Sequence, residues 1–372
     1  MNAHHSPAAG QPAAAGNPAE TGRPVDIGRL RDLLQAAVEL ELATIPAYLC
    51  ALYSLRPGSN DEASLIIRSV VVEEMLHLVL AANVLNAIGG QPRVTGGHVP
   101  RYPHELPDGT VVDLLPFCPE GVEEFLKIEN PQYPHQALDS GHPLVAGRRP
   151  ELHRARAASA MGKPTTIGAF YAEIIDDLKR AAAELGEQAL FGGDPARQVT
   201  SEYYYAGGGS VQPVKDLASA IAVLAEIVDQ GEGDLASMYD DDGDLGHYYR
   251  FKQIACDRAY RPADDAGEPS GPRIGVDFGA VYPMIANPRG DDYADPELRA
   301  ASDTVNRTWS RLLRDIEQGF NGRPEALLAA VPAMFRLRDQ ALVLLANPLP
   351  HGAPAYPTTR HAGPTFEWAA DR

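Results

Sequence analysis

Apolar side chains recur every three to four residues over long stretches of this chain, which is the spacing that gives an α-helix one apolar face. The first stretch begins near Val25 and stops at Arg56-Pro57-Gly58, and Pro46 is expected to kink or break it. A second helix begins at the capping sequence Ser59-Asn60-Asp61-Glu62 and ends at Gly89-Gly90-Gln91-Pro92. Because only a few residues separate the two helices, we expect an antiparallel pair.

Two further long helices and several shorter ones are predicted later in the chain. The third long helix follows Thr166, and the fourth ends at Gly231. Shorter helical segments are predicted over residues 121–130 and 245–260 and, as a last pair, over 295–319 and 324–345. Residues 196–214 are expected to form two short strands around a glycine-rich turn. The pattern therefore indicates a mainly α fold of four main helices with long irregular insertions and extra C-terminal helices.

The two ends of the chain are expected to lie outside the folded domain. Residues 1–24 are rich in Ala, Pro and Gly and lack the continuous apolar run of a signal peptide, so we expect a disordered tail. Residues 25–346 are expected to form one domain, and 347–372 a proline-rich C-terminal tail. Charged residues interrupt the most apolar stretch, 65–88, which argues against a membrane span.

Composition narrows the class of protein further. The chain has 50 acidic and 32 basic residues and a formal net charge of −18, which argues against nucleic-acid and anionic membrane partners. Its three cysteines (Cys50, Cys118 and Cys256) form no CxxC pair, so we expect neither a disulfide framework nor a thiolate zinc site, and a cytoplasmic location follows. Dinucleotide, P-loop and nucleophile-elbow motifs are absent from the sequence.

The second predicted helix carries the first candidate chemistry. On a helical wheel Glu74 lies within about 20° of Ile67, and His77 lies beside Val70, so both project from an otherwise apolar face. Neither group should be buried there unpaired, since an isolated buried charge costs several kcal/mol. Glu-x-x-His is the pair that carboxylate metal sites of helical bundles use. A metal site is one interpretation, and a chance occurrence of this short motif is the other.

The first helix supplies a second inward carboxylate. Glu41 falls among apolar residues of its wheel, whereas Glu39 points roughly 160° away. An ion pair with an arginine at the helix interface is the alternative role for Glu41.

The second half of the chain gives weaker candidates. Glu226 shares a face of the fourth helix with small residues, Glu232 follows it in DQGEG, and the next imidazole is His247. Glu173 lies opposite the apolar face of the third helix and is discounted as a ligand. Taken singly, each of these residues is as well explained as an ordinary surface or loop residue.

Several separated blocks, in order, resemble one known family. The segments VELELATIPAYLCALYSL, VVEEMLHLVLAANVLNAIGG, FLKIENP, EIVDQGEG and GHYYRFKQI are similar to the ferritin-like domain of the iminophenyl-pyruvate dimer synthase family. That domain occurs in the large synthases of bisindole pigment pathways and in stand-alone bacterial proteins. The similarity runs from about residue 25 to about residue 346.

The resemblance implies a ferritin-like four-helix bundle holding one or two non-haem iron ions, with O2 as co-substrate. Carried over by block, the implied metal ligands are a set of carboxylates and imidazoles: Glu41, Glu74, His77, Glu226 and His247, with Glu232 as a less certain addition. The pattern departs from the regular di-iron arrangement, because no second ExxH follows Glu226. Tyr171, Tyr248 or Tyr203 is expected to orient substrate or carry an electron.

An O2-dependent iron oxidoreductase is therefore the leading hypothesis for function. Its substrate is expected to be an amino-acid-derived small molecule or a peptide of secondary metabolism, and a homo-oligomer is left open. Iron storage and a metal-free scaffold are the alternatives. Long loops in a compact fold argue against storage, and inward acidic residues argue against a scaffold.

Overall fold

The structure is a computed structural model that describes residues 25–131, 164, 166–204, 208–232, 237–240, 242–350 and 359–370. Its helices are, in chain order, α1 (Ile27–Ser54), α2 (Asp61–Ala87), α3 (Pro119–Ile128), α4 (Ile167–Leu185), α5 (Glu187–Leu190), α6 (Leu217–Glu232), α7 (His247–Cys256), α8 (Pro296–Phe320) and α9 (Leu327–Leu345). The predicted tail over residues 1–24 and the predicted irregular segment over 132–163 lie outside the described residues.

The four long helices α1, α2, α4 and α6 form a bundle, as the apolar pattern predicts. Helix α1 contacts α2 and α4, and α6 contacts the same two helices, so the four close into a ring around a shared core. Side-chain caps fix the helix starts: Asp26 accepts a hydrogen bond from the Arg29 amide, and Thr166 accepts one from the Ala169 amide.

Helix α1 runs without a break through Pro46, so of the predicted kink or break the break does not occur. Proline inside a helix costs about 3 kcal/mol, but the residues on both sides of Pro46 are buried in the bundle core. Tertiary burial of both halves therefore outweighs the local cost.

Two inserted helices, α3 and α7, pack on one side of the bundle. They contact each other, and α7 also contacts α2 and α6. Tyr48 of α1, Phe125 of α3 and Phe251 of α7 form an aromatic triangle with ring-centroid distances of 4.7, 5.2 and 4.9 Å. This triangle fixes the inserted helices to the bundle at one level of α1.

The small β-hairpin is present, but in a different place from the predicted one. Strands β1 (His104–Glu105) and β2 (Val111–Val112) pair antiparallel, with His104 opposite Val112. The prediction of two strands over 196–214 is wrong for the described residues there, which form short 3₁₀ turns. The Asn83 side chain of α2 bonds both the amide and the carbonyl of Val199, so this segment pairs with a helix side chain instead of a strand.

Helices α8 and α9 form an antiparallel pair that contacts α1 and α2. Residues 359–370, within the predicted C-terminal tail, pack along α8. Phe366 lies edge-on to Trp309 at 5.3 Å, and Asn306 Oδ1 accepts hydrogen bonds from the Thr365 hydroxyl and the Glu367 amide, both at 2.9 Å.

Among the described residues, α1 is long and apolar enough to cross a membrane by length and composition. However, 78% of its most apolar window is buried inside the protein, as expected for a core helix of a bundle.

We expect Asn306→Ala to loosen the C-terminal segment and to lower the free energy of unfolding by about 1–3 kcal/mol, because the buried Thr365 hydroxyl and the part-buried Glu367 amide lose their acceptor. Urea unfolding measures the loss. Asp303→Ala, an exposed position one turn earlier on α8, is the matched control and should change little. Equal stability of the two variants would contradict the assigned role of Asn306.

Candidate metal centre

Helices α1 and α2 bring Glu41, Glu74 and His77 together in the bundle core, as the wheel predicts. Their side chains are only 2–3% exposed. His77 Nδ1 lies 3.5 Å from Glu41 Oε2 and 3.8 Å from Glu74 Oε1. One ligand atom from each residue falls within 4.8 Å of the other two, and we call this group site A.

A second group, site B, consists of Glu74, Glu129 and His247. His247 is the first residue of α7 and is fully buried. Its Nδ1 lies 3.0 Å from Glu74 Oε1 and 3.5 Å from Glu129 Oε2. Glu74 therefore belongs to both sites, and the His77 and His247 rings stack with their centroids 5.4 Å apart.

Glu129 is the site residue that the sequence reasoning missed. It follows the last residue of α3 and is 6% exposed, in line with the buried residues Val122 and Phe125. Glu129 lies three residues beyond Leu126 and four beyond Phe125 on an amphipathic helix, so the periodicity that places Glu41 on an apolar face places Glu129 there too.

The predicted ligand Glu226 is not part of either of the two groups that converge among the described residues. Glu226 faces the 208–210 segment, since a Cβ added at Gly209 would lie 2.8 Å from Glu226 Oε1. One turn further along α6, Gln230 takes the position that reaches His77. Glu232 ends α6, and its side chain lies outside the described part of the chain.

Of the two predicted catalytic tyrosines, Tyr171 contacts the centre and Tyr248 lies in a separate cluster. Tyr171 of α4 is fully buried and donates its hydroxyl hydrogen bond to Glu41 Oε1, so it belongs to the centre. Tyr248 packs in a separate apolar cluster with Met238 and Tyr249. Adjacent helical residues point about 100° apart, so His247 and Tyr248 cannot both face the centre. Tyr248 therefore lies away from sites A and B, and its catalytic role stays a prediction.

The two discounted carboxylates lie outside the core, as predicted. Glu39 pairs with His98 at 2.6 Å and is about one-third exposed. Glu173 pairs with Arg29 on the outer side of α4.

Each histidine is oriented by a hydrogen bond at Nε2. His77 Nε2 lies 2.9 Å from Gln230 Oε1, and the Gln230 amide nitrogen donates to the Gly208 carbonyl, so its oxygen must accept. His247 Nε2 lies 2.8 Å from Glu73 Oε2, an acceptor by chemistry. Both Nε2 atoms therefore carry hydrogen, which leaves Nδ1 of each neutral ring free to bind a metal.

Hydroxyl groups hold all three carboxylates. Tyr171 donates to Glu41, Tyr48 donates to Glu129, and the Thr44 hydroxyl donates to Glu74 Oε2 at 2.5 Å. These bonds fix the carboxylates while leaving other oxygens directed at the two imidazoles.

Burial and mutual repulsion raise the pKa of Glu74 to about 7, with Glu129 and Glu41 as the repelling neighbours. Burial alone would lower the pKa of both histidines, but nearby carboxylates outweigh it and raise both pKa values above the ordinary range. For His77 the main such neighbour is Glu41, and for His247 it is Glu129. Burial raises the pKa of Tyr48 and Tyr171, which keeps both hydroxyls as donors.

The chemistry of these residues fits a metal. Three carboxylates within one apolar core repel one another, and positive ions between them would offset that cost. His247 Nδ1 is buried and makes no hydrogen bond within the part of the chain that is described. Imidazole nitrogen with carboxylate oxygen is a donor set suited to divalent iron, manganese or zinc.

The fold and the centre together define a ferritin-like bundle with a buried carboxylate–histidine site. The family model described as ferritin-like matches residues 34–256. This match covers more than half of the chain, so the chain belongs to the ferritin-like family.

One solved structure supports the same fold assignment. The crystal structure of a ferritin-like protein from Caulobacter vibrioides at 1.95 Å resolution is similar over 93% of this chain and 100% of that chain. The sequence identity is 21% and the TM-score is 0.58, so the likeness is one of fold. No curated protein sequence matches the chain.

We expect Glu74→Gln to remove metal from both sites, because Glu74 is common to them. Elemental analysis of protein expressed with added iron measures this loss. Glu39→Gln, which alters a carboxylate–histidine pair outside the core, is the matched control and should retain wild-type metal content. Wild-type metal content in Glu74→Gln would contradict the assignment.

Metal affinity is expected to fall as the pH falls through about 7. Below that pH Glu74 holds a proton that an incoming ion must displace, and the protons on His77 and His247, whose pKa values are also raised, must leave as well. Each displaced proton should weaken binding by about tenfold per pH unit. Chelator competition with Zn²⁺ between about pH 6 and pH 8 measures the slope. A flat profile would show that no ligand proton is displaced.

Proposed function

We propose that the protein is a non-haem iron oxidoreductase that uses O2 to oxidise or oxidatively couple an amino-acid-derived small molecule or peptide. The observation that carries the proposal is the pair of buried carboxylate–histidine groups that share Glu74. The substrate class and its place in secondary metabolism rest on the resemblance to the iminophenyl-pyruvate dimer synthase family.

The number of protein ligands favours a reactive centre. Each site offers three residues, one of them shared, whereas structural metal sites are closed by four protein ligands. Iron held by such carboxylate and imidazole groups keeps open coordination positions and supplies O2 chemistry. Two divalent ions would also nearly balance the three carboxylates, since both histidines can bind as neutral rings.

The surrounding residues would hold the metal ligands in fixed positions and exclude water from the centre. Thr44, Tyr48 and Tyr171 hold the three carboxylates by hydrogen bonds. The aromatic triangle of Tyr48, Phe125 and Phe251 lies next to Glu129, so apolar rings exclude water from one wall. The two tyrosine hydroxyls keep a proton beside the ligand carboxylates.

The inserted helices support an enzyme in preference to a storage protein. Glu129 and His247 come from α3 and α7, outside the four bundle helices, so the insertions build the site itself. We also propose a cytoplasmic location, since the sequence has only three cysteines, which lie far apart and form no CxxC motif.

We expect the Fe²⁺-loaded protein, prepared without oxygen, to consume O2 and to oxidise a member of a panel of aromatic amino acids, their keto or imino derivatives, and peptides. An oxygen electrode and mass spectrometry of the products provide the two readouts. His77→Ala should lower the rate by at least about tenfold to 100-fold, because site A loses its only nitrogen ligand. Glu39→Gln is the control and should keep the wild-type rate.

Two outcomes would contradict the proposal. Loading of many irons per chain into a large shell would indicate iron storage. Bound iron that leaves both O2 and every substrate unchanged would indicate a scaffold or a non-redox metal site.

A further inference from the structure

Sites A and B are alike in nearly all of their contacts. Each has one terminal carboxylate, Glu41 or Glu129, that accepts a hydrogen bond from a buried tyrosine. Each has one histidine directed by Nδ1 toward the shared Glu74. A clear chemical difference between the two sites lies in the groups behind these ligands.

The hydrogen-bond acceptors behind the histidines supply such a difference. His77 donates to the neutral amide oxygen of Gln230. His247 donates to the carboxylate of Glu73, and Arg250 Nη1 donates to the other oxygen of that carboxylate at 2.8 Å. Arg250 thus holds Glu73 in place, and Glu73 Oε2 accepts the hydrogen bond from the His247 imidazole.

A carboxylate acceptor makes an imidazole a better metal ligand than an amide acceptor does. The negative charge draws the Nε2 hydrogen toward itself, which raises the electron density that Nδ1 offers to the ion. Outer partners of this kind change metal affinity by about tenfold to 100-fold.

We propose that Glu73 and Gln230 are positioning residues that make the two metal sites unequal, so that site B fills first and holds its ion more tightly, whereas site A is the weaker, exchangeable position. The inference rests on the proposed metal function.

Stepwise titration of the metal-free protein with Co²⁺ tests the inference. The visible spectrum of bound Co²⁺ and calorimetry report binding without any need for activity. The wild type should bind in two steps whose dissociation constants differ by about tenfold or more. Glu129→Gln should remove the tight step and leave the weak one, and Glu41→Gln should do the reverse.

Substitutions of Glu73 and Gln230 test whether these hydrogen-bond acceptors cause the difference in metal affinity between the two sites. Glu73→Gln should weaken only the tight step by about tenfold to 100-fold, and Gln230→Glu should strengthen only the weak step by a similar factor. Because Glu73→Gln also removes the carboxylate partner of Arg250, Gln230→Glu tests the same idea without that loss. Glu39→Gln alters the carboxylate of a surface histidine pair and should leave both steps unchanged.

The outcomes distinguish this inference from the proposed function. Two binding steps with equal dissociation constants would contradict the proposed difference between the sites. Loss of the weak step in Glu129→Gln would also contradict it, and both results would leave the proposed metal function standing. Constants unaltered in both Glu73→Gln and Gln230→Glu would overturn the role of the outer partners. Absence of Co²⁺ binding in the wild type would overturn the proposed function as well.

Discussion

The burial of three carboxylates in one apolar core is the constraint on which the rest of this structure depends. Glu41, Glu74 and Glu129 are each 2–6% exposed, and an unpaired charge at that depth costs several kcal/mol. Two imidazoles and three hydroxyl donors contact these carboxylates, and Gln230 and Glu73 in turn accept hydrogen bonds from the imidazoles. These contacts leave carboxylate oxygens that face one another in the core, where positive ions would offset the remaining cost of burying the charges.

This constraint explains why the insertions are part of the centre. A regular di-iron bundle draws a second Glu-x-x-His from its fourth helix, but here α6 provides Gln230 and α4 provides Tyr171, both of which act on ligands from outside. Glu129 and His247 come from α3 and α7, whose position is fixed by the aromatic contacts of Phe125 and Phe251 with Tyr48. The ferritin-like bundle therefore supplies half of the terminal ligands and the inserted helices supply the other half.

The sequence predicts most of the helices and the α1–α2 half of the centre, because both follow from helical periodicity. Glu41, Glu74 and His77 could be selected by wheel angle, since the rest of their faces is apolar. The position of Gln230, and not Glu226, beside His77 could not be predicted in that way. A helical wheel shows the direction in which a side chain points around the helix axis. Which turn of α6 lies level with His77 depends on the position of α6 along α2, and tertiary packing sets that position. Similarly, the strands predicted over 196–214 could not be excluded, because the backbone partner there is Asn83, distant in sequence.

Anomalous diffraction from crystals grown with iron would test the central claim most directly. Two peaks are expected near Glu74, one beside Glu41 and His77 Nδ1 and the other beside Glu129 and His247 Nδ1. Iron bound elsewhere, for example at Glu226, or no ordered iron in crystals of the intact bundle, would contradict it.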